Sequence, residues 1–292
     1  MRQVHYGLEW WRLPSQAARI AGWRDLARRG RLLRYLVARG LATTGISRLL
    51  LIRRRDFVLR FYPSSISIAL WVDRDGRNDD EDFFRRYLRR GDVVIDVGAN
   101  IGNLTLQAAQ CVGPSGRVIA VEPHPRTFAY LLGNLRLNGA NNVDALNIAL
   151  GERDEVVRFS SGRQDDQNAV VTGSTGLRIP VRPLDAVVPR DMRVALLKID
   201  VEGYERFVLA GARETLRQSD CVFFEAYETA FARFGYAAGD LFALLRDAGF
   251  QLFRFDERRE PIPLPEYYRA ERCENLLAVR DVATAQARLA RS

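Results

Sequence analysis

The chain has 292 residues and a net charge of +8, and 47% of its residues are hydrophobic, 10% aromatic and 27% charged. This composition is close to that of average globular proteins and excludes collagen-like, intrinsically disordered and disulfide-scaffold classes. Arginine interrupts every long apolar run, and the N-terminus lacks the apolar core of a signal peptide, so we expect a cytoplasmic protein without a transmembrane segment.

The positive charge is concentrated at the N-terminus. Residues 1–60 contain 14 arginines and 3 acids, whereas residues 91–292 contain 24 bases and 27 acids. Between residues 15 and 50, apolar positions recur near the helical period with arginines between them. We therefore predict an Arg-rich helical arm over residues 1–60 and a main domain over residues 61–292.

The role of this arm is open from sequence. It could be a helical cap or dimerisation element, a contact for an anionic substrate or nucleic acid, or a membrane-surface segment. Trp10, Trp11 and Trp23 beside the arginines favour a homodimer through the arm. The three cysteines, Cys111, Cys221 and Cys273, include no C-x-x-C pair, and we expect them to be buried thiols.

The main domain alternates extended and helical segments. Short extended runs are predicted over Phe57–Val72, and a helix over Asn78–Arg90 begins with acids and ends with bases, as the helix dipole favours. The alternation that follows predicts a doubly wound, mostly parallel α/β sheet. The helical period disappears over residues 156–188, which predicts a β-hairpin insertion. The last runs, Phe250–Phe255 and Leu276–Val279, predict antiparallel closing strands.

A glycine turn follows the first strand of this alternation, in Asp-Val-Val-Ile-Asp-Val-Gly-Ala-Asn-Ile-Gly over residues 92–102. Such a turn points the N–H groups of the next helix at a ligand. Asn100 replaces the middle glycine of the dinucleotide fingerprint, and Asp96 ends the strand, which argues against a nicotinamide cofactor. A carboxylate here repels a pyrophosphate but can hold a cationic amino-acid group, which S-adenosylmethionine possesses.

Glu122 ends the next strand, about 20 residues beyond the glycine turn, where an acid can accept both ribose hydroxyls. The alternative is that Glu122 caps the helix that starts after Pro125. We expect the adjacent His124 to line the nucleoside, because no second His or Cys lies nearby to suggest a metal site.

A second charged segment, Lys-Ile-Asp-Val-Glu-Gly, occupies residues 198–203. In the period of a strand, Lys198, Asp200 and Glu202 share one face. That face lies at the carboxyl end of a central strand, where open α/β sheets bind ligands. Glu225 ends the neighbouring strand. For the face of Lys198, Asp200 and Glu202 the alternative to a site role is a purely structural ion pair. Asp200 and Glu225 could form a general-base pair, which we prefer, or a divalent-metal clamp.

Taken together, these motifs resemble the FkbM-type methyltransferase family. The resemblance covers roughly residues 60–280, and its Lys-Ile-Asp-Val-Glu-Gly block is specific to that family. The matching segments are residues 92–102, Val-Glu-Pro-His-Pro (121–125), Leu-Arg-Leu-Asn (135–138), Ala-Leu-Gly (149–151), Lys-Ile-Asp-Val-Glu-Gly-Tyr-Glu (198–205) and Val-Leu-Ala-Gly-Ala (208–212). The resemblance implies a class I, Rossmann-like S-adenosylmethionine-dependent fold and O-methylation of a hydroxyl on a natural product or sugar.

On this resemblance we assign expected roles. Glu122 would bind the ribose, and Asp200 would be the base. The methionine end would be held by Asp96, Gly98, Asn100 and Gly102. The adenine walls would be Pro123, Ala149 and Leu150. Glu202 and Glu225 are alternative bases, with Lys198 as a polariser or as the partner that orients Asp200.

Two other functions remain open from sequence. The chain could methylate ribose 2′-hydroxyls of RNA, with the Arg-rich arm following the phosphates, although the acidic balance of residues 91–292 makes nucleic acid the less favoured partner. It could also be a non-catalytic cofactor-binding scaffold. The sequence does not predict the acceptor.

Overall fold

The structure, a computed structural model, describes residues 30–160 and 176–290. Two parts of the sequence predictions therefore lie outside the described residues: the first half of the Arg-rich arm and the polar part of the insertion. The chain divides into two compact units, one ending at Asp82 and one beginning at Phe83. In the described ranges no helix is long and apolar enough to cross a membrane.

From residue 30 onward, the N-terminal unit is built from short elements. They are α1 (Leu32–Thr43), a 3-10 turn (Gly45–Leu49), β1 (Leu51–Arg53), β2 (Val58–Arg60) and α2 (Ser65–Val72), and a further helix, α3 (Asn78–Tyr87), crosses the boundary between the units. β1 and β2 pair antiparallel, and α1 packs against α2. Residues 61–82 therefore stay with this unit, whereas the boundary predicted from charge lies at residue 60.

The extended run predicted over Phe57–Val72 is wrong beyond β2. Ser64 caps α2, because its Oγ accepts a hydrogen bond of 3.0 Å from the backbone N–H of Ser67. The apolar run Ile66–Val72 therefore forms a helix, with Ile66 and Leu70 buried. A capping serine before a short β-branched run was the signal that favoured helix over strand.

The C-terminal unit is an α/β domain. Its strands are β3 (Val93–Val97), β4 (Arg117–Val121), β5 (Val143–Leu146), β6 (Ala149–Leu150), β7 (Glu155–Phe159), β8 (Leu177–Arg182), β9 (Leu196–Ile199), β10 (Cys221–Ala226), β11 (Gln251–Phe255), β12 (Pro261–Pro263) and β13 (Glu274–Val279). Its helices are α4 (Asn103–Val112), α5 (Pro125–Leu137), α6 (Glu205–Ala210), α7 (Arg213–Gln218), α8 (Glu228–Ala232), α9 (Ala238–Asp247) and α10 (Val282–Leu289).

Eight of these strands form one sheet in the order β12-β11-β13-β10-β9-β3-β4-β5. The five strands from β10 to β5 are parallel, whereas β13 runs antiparallel to both β10 and β11. The prediction of a mostly parallel sheet with antiparallel closing strands is confirmed. β7 pairs antiparallel with β8, which also pairs with β6, so the predicted hairpin insertion is present as a small three-stranded sheet.

Both faces of the large sheet are buried, as its apolar strands require. Ile95, Ile119 and Leu197 belong to one core cluster, and their neighbours Val94 and Val118 belong to the other. Because successive residues of a strand point to opposite faces, each central strand contributes to both cores. Because both faces are apolar, polar side chains of these strands are accommodated at the strand ends, and here several of them lie at the carboxyl ends.

Candidate active site

Acidic residues lie at or just beyond the carboxyl ends of four adjacent strands. Asp96 lies in β3, Glu122 follows β4, Asp200 follows β9 and Glu225 lies in β10. The chain leaves β3 for β4 on one side and returns through β9 on the other, which makes this edge a topological switch point of the sheet. Open α/β sheets bind their ligands at such a point.

The glycine turn after β3 has a left-handed backbone at Gly98, Asn100 and Gly102, with φ of 78°, 50° and 92°. A Cβ at Gly98 would lie 1.9 Å from the backbone oxygen of Asp200. Glycine is therefore required at position 98, because the backbone just after β9 packs directly against the turn. A Cβ at Gly102 would lie 2.7 Å from Leu131, so this glycine too is needed for packing.

Behind the turn lies a buried group that we call the inner ion-pair cluster, formed by Asp96, Thr105 and Lys198. The Lys198 ammonium lies 3.1 Å from Asp96 Oδ1, and the Thr105 hydroxyl donates to Asp96 Oδ2 at 2.6 Å. Lys198 also donates to the carbonyl of Gly98 at 2.8 Å. Asp96 is 0% exposed. The cluster therefore attaches the glycine turn to β9 by a neutralised pair of buried charges.

Glu122 is buried and holds the turn from the other side. Its Oε2 accepts the N–H of Asn100 at 3.0 Å, and its Oε1 accepts the N–H of His124 at 2.9 Å. The cap of α5 is His124, whose Nδ1 accepts the N–H of Thr127 at 3.5 Å. The alternative prediction, that Glu122 caps this helix, is therefore wrong, because His124 is the cap.

His124 is 3% exposed, and its Nε2 is buried without a hydrogen-bond partner among the described residues. Burial, and secondarily the positive charge of Arg126, lowers the pKa of the imidazole, which keeps it neutral at physiological pH. Because Nδ1 acts as an acceptor, the ring proton is assigned to Nε2. Thr127 Oγ1 is a second buried polar atom without a partner in the described ranges. Unsatisfied buried polar atoms of this kind mark a position where a ligand or water belongs.

The predicted adenine walls occupy different environments. Pro123 is half-buried, and the side-chain amide of Asn147 donates to the carbonyls of Glu122 and Pro123 at 2.8 and 3.0 Å. Ala149 and Leu150 are buried in β6. Asn147 fixes the loop after β4, and sequence reasoning missed it, although its position directly after β5 was a usable signal.

Next to the turn lies a second group, the outer acidic cluster of Asp200, Glu202 and Glu225. One carboxylate oxygen from each lies within 4.8 Å of the others, and all three residues are half-buried. Asp200 Oδ2 lies 3.8 Å from Lys198 Nζ. Oxygen ligands in this arrangement could hold a divalent cation, and they could equally accept a proton from a substrate hydroxyl.

The predicted strand face is wrong in its geometry. β9 ends at Ile199, and Glu202 has a left-handed backbone with φ of 56°. Glu202 therefore reaches Asp200 through a tight turn and not through the alternation of a strand. A non-glycine residue in this conformation is uncommon and concentrates at functional positions.

The turn that carries Glu202 is held by the buried carboxyl of Glu205. Glu205 accepts the N–H groups of Val201 and Gly203 at 3.0 and 3.3 Å, and the Tyr236 hydroxyl donates to the Gly203 carbonyl at 2.8 Å. Burial raises the pKa of Glu205 to about 7. Sequence reasoning assigned no role to Glu205 or Tyr236. Glu205 lies only a few residues beyond Asp200 and Glu202, and the sequence does not distinguish a carboxyl that supports the turn from one that reacts.

The cysteines also differ from expectation. Cys221 is buried, Cys111 is half-buried and Cys273 is exposed. The Cys273 thiol donates to Glu225 Oε1 at 2.8 Å, so this side chain borders the outer acidic cluster.

Comparison with known proteins agrees with the resemblance seen in the sequence. Residues 96–252, more than half of the chain, match the family described as the methyltransferase FkbM domain. The chain is 32% identical over 201 residues to the 31-O-demethyl-FK506 methyltransferase FkbM of Streptomyces tacrolimicus, covering 56% of this chain and 74% of that protein. It is 29% identical over 143 residues to Methyltransferase 1 of Beauveria bassiana, covering 40% of this chain but only 57% of that relative's length.

Among solved structures, a SAM-dependent methyltransferase from Aquifex aeolicus aligns with a TM-score of 0.42 and 14% identity, over 70% of this chain and 90% of that one. The family profile extends from Asp96 through the outer acidic cluster to β11. The chain therefore belongs to the FkbM methyltransferase family.

Proposed function

We propose that this protein transfers a methyl group from S-adenosylmethionine to a hydroxyl oxygen of a small molecule. One observation supports this most directly: the Gly98 turn packs on the backbone of Asp200, with no room for a Cβ between them. A cofactor on the turn and a hydroxyl at the outer acidic cluster would therefore be neighbours. Methyl transfer needs such a juxtaposition, because most of its acceleration comes from aligning the reacting atoms.

The residues around the turn fit this cofactor. Both oxygens of Glu122 accept backbone N–H groups at the turn, and an acid at this strand end is the type of group that holds ribose hydroxyls. The buried Nε2–H of His124, which has no partner in the described ranges, offers a donor to the same nucleoside. When bound, the cofactor supplies an electrophilic methyl group on a sulfonium.

The contribution of Asp96 is indirect in this proposal. Its carboxylate is fully buried and engaged by Lys198 and Thr105, so it acts by holding Lys198 on the Gly98 carbonyl. The methionine end would then meet the backbone of residues 98–102. Pro123, which is half-buried, would contact the adenine directly, with Ala149 and Leu150 packed behind it.

Asp200 is the proposed base. Lys198 lies 3.8 Å from its Oδ2 and, because that ammonium is fixed by Asp96 and Gly98, it orients the carboxylate without being able to move toward the substrate. Asp200 would accept the hydroxyl proton as the oxygen takes the methyl group. Glu202 and Glu225, which border the same space, remain alternative bases.

The hydroxyl acceptor is proposed from the relative in Streptomyces tacrolimicus, whose name specifies O-methylation of 31-O-demethyl-FK506. The family relationship supports methyl transfer, and the acidic cluster supports an oxygen acceptor that must lose a proton.

The test combines binding and turnover. We expect calorimetry to show S-adenosylmethionine binding to the wild type and about tenfold weaker binding to Glu122→Gln, with the exposed Glu152→Gln as a matched control. A panel of hydroxylated macrolides and sugars would then be assayed for S-adenosylhomocysteine release, beside the same compounds with the hydroxyl already methylated. Absence of cofactor binding, or transfer that is equal for the blocked compounds, would contradict the proposal.

A further inference from the structure

The N-terminal unit presents a concentration of exposed apolar side chains. Of the large hydrophobic residues exposed in the described ranges, the C-terminal unit contributes Val156, Leu177 and Tyr267. The other six lie within 19 residues of one another: Leu33, Leu36, Val37, Ile46, Leu49 and Leu51. Leu33 is 72% and Leu49 is 78% exposed. Scattered single leucines are normal on a protein surface, whereas a concentration of this kind marks an interaction site.

The pattern in α1 is that of a helix with two apolar faces. Tyr35 and Ala38 are buried within the fold. Leu33, Leu36 and Val37 have the i, i+3, i+4 spacing of one helical stripe, and at about 100° per residue this stripe lies opposite the buried pair. The outward stripe is therefore not needed by the fold of the described residues.

The 3-10 turn and β1, which follow α1, also expose aliphatic side chains. Ile46 and Leu49 are three residues apart in a 3-10 turn, which places them on the same side of it. In β1 the buried residue is Ile52, and Leu51 points outward. Three consecutive elements thus expose aliphatic side chains, and together we call these six residues the apolar surface.

Arginines alternate along the chain with the residues of the apolar surface. Residues 30–60 contain eight arginines and one acid, Asp56. Arg31 and Arg54 form ion pairs with Asp73 and Glu81, while Arg48, Arg53 and Arg55 are exposed.

Charge decides which partner fits. A second copy of the chain would bring two strongly basic faces together, which like charges oppose. A nucleic acid would be attracted to the arginines but has no use for a stripe of exposed aliphatic side chains. A bilayer with anionic headgroups satisfies both features, because aliphatic side chains enter the acyl boundary while arginines stay at the phosphates.

We propose that the apolar surface and its arginines bind the surface of an anionic lipid membrane. The proposal is independent of the methyl-transfer chemistry, since it uses no residue of the candidate active site. It places the protein on a membrane face through a surface contact.

The test is co-sedimentation of the full chain with vesicles of phosphatidylcholine alone and of phosphatidylcholine containing about 30% phosphatidylserine. We expect at least about tenfold stronger binding to the anionic vesicles, weakening steeply as salt is raised. Binding is expected to fall by about tenfold or more in Leu33→Gln/Leu36→Gln/Val37→Gln and in Arg48→Gln/Arg53→Gln/Arg55→Gln.

Matched controls change the same residue types elsewhere. Val156→Gln/Leu177→Gln and the exposed arginine triple Arg213→Gln/Arg233→Gln/Arg258→Gln should bind vesicles like the wild type, and circular dichroism should show all variants folded. Equal binding of the wild type and both test triples would overturn the proposal, as would absence of binding to anionic vesicles. A dimer in sedimentation velocity that the leucine triple abolishes, or RNA binding that only the arginine triple weakens, without vesicle binding, would assign the surface to those partners instead.

Discussion

Two groups of charged residues lie within a few ångströms of each other at the carboxyl ends of the central strands, yet their environments are opposite. The inner ion-pair cluster is closed: Asp96 and Lys198 neutralise one another in a fully buried position. The outer acidic cluster is open: Asp200, Glu202 and Glu225 are half-buried and have the same sign of charge. Charged residues thus fix a turn in one cluster, and in the other they lie half-buried at the open edge of the sheet.

The difference shows that a charged motif cannot be interpreted as a unit. In Lys-Ile-Asp-Val-Glu-Gly the lysine faces inward to Asp96, whereas the aspartate and glutamate face the open edge of the sheet. Buried charge that is paired costs little, but removal of one partner leaves the other uncompensated. A half-exposed charge can be removed with little effect on stability, so a large effect of such a change on turnover would indicate a role in the reaction. The following predictions separate the two clusters on this basis.

The largest effect is expected from Lys198→Met, because it leaves Asp96 buried without a counter-charge. We expect the free energy of unfolding to fall by about 3–5 kcal/mol, measured by urea denaturation. The control is Arg117→Met, which removes an exposed ion pair with Asp144 and should cost no more than about 1 kcal/mol. A loss for Lys198→Met as small as that of the control would mean that the inner cluster does not stabilise the fold.

Asp200→Asn tests the outer cluster in the same way. Turnover on an accepted hydroxyl substrate should fall by about 100- to 10,000-fold, because the carboxylate no longer accepts the proton. The free energy of unfolding should stay within about 0.5 kcal/mol of the wild type, as should that of the exposed control Asp191→Asn. Unchanged turnover would move the role of base to Glu202 or Glu225.

The support beneath the outer cluster predicts a pH dependence. Burial raises the pKa of Glu205 from an ordinary carboxyl value to about 7, so the folded protein binds a proton here that the unfolded chain has released. This residue therefore stabilises the fold less as pH rises from about 4.5 to about 7, by about 3 kcal/mol in total.

Glu205→Gln should remove that dependence. Its unfolding free energy minus that of the wild type should increase over the same pH range and level off above it, measured by urea denaturation at several pH values. A difference that is constant with pH would show that Glu205 titrates normally in the folded protein.

The smallest effect is expected at the start of α5, from His124→Asn. Asparagine retains the cap of α5 but has no group at the position of Nε2. We expect S-adenosylmethionine affinity to fall by about three- to tenfold with little change in melting temperature. His124→Ala, which also removes the cap, should lower the melting temperature as well, and equal melting temperatures for the two variants would argue against the capping role.

Sequence reasoning captured the parts of this protein that follow from local pattern. The apolar runs and the glycine turn were enough to predict the parallel sheet, its closing strands and the hairpin insertion, because burial on both faces requires near-continuous apolar strands. The order of Asp96, Glu122 and Asp200 along those strands also predicted that they meet at one edge.

The remainder depended on contacts that no local pattern contains. Lys198 pairs with Asp96 on the neighbouring strand, and Glu202 reaches Asp200 through a left-handed turn, so their roles depend on tertiary geometry. Asn147 and Glu205 resemble any other polar residue at the end of an element until the backbone groups that they bind are seen. The helix Ser65–Val72 was missed because a serine cap outweighed β-branched composition.

The contact between Gly98 and the Asp200 carbonyl has a consequence for how the proposed acceptor specificity could be altered. The spacing between the turn proposed to hold the methyl donor and the backbone of the proposed base is set by main chain against main chain, and Lys198 holds the turn in that position. Substitutions at Glu202, Glu225 or Cys273 can therefore reshape the acceptor space while the donor stays in register. Directed evolution of a new acceptor should tolerate wide variation at those three positions and none at Gly98.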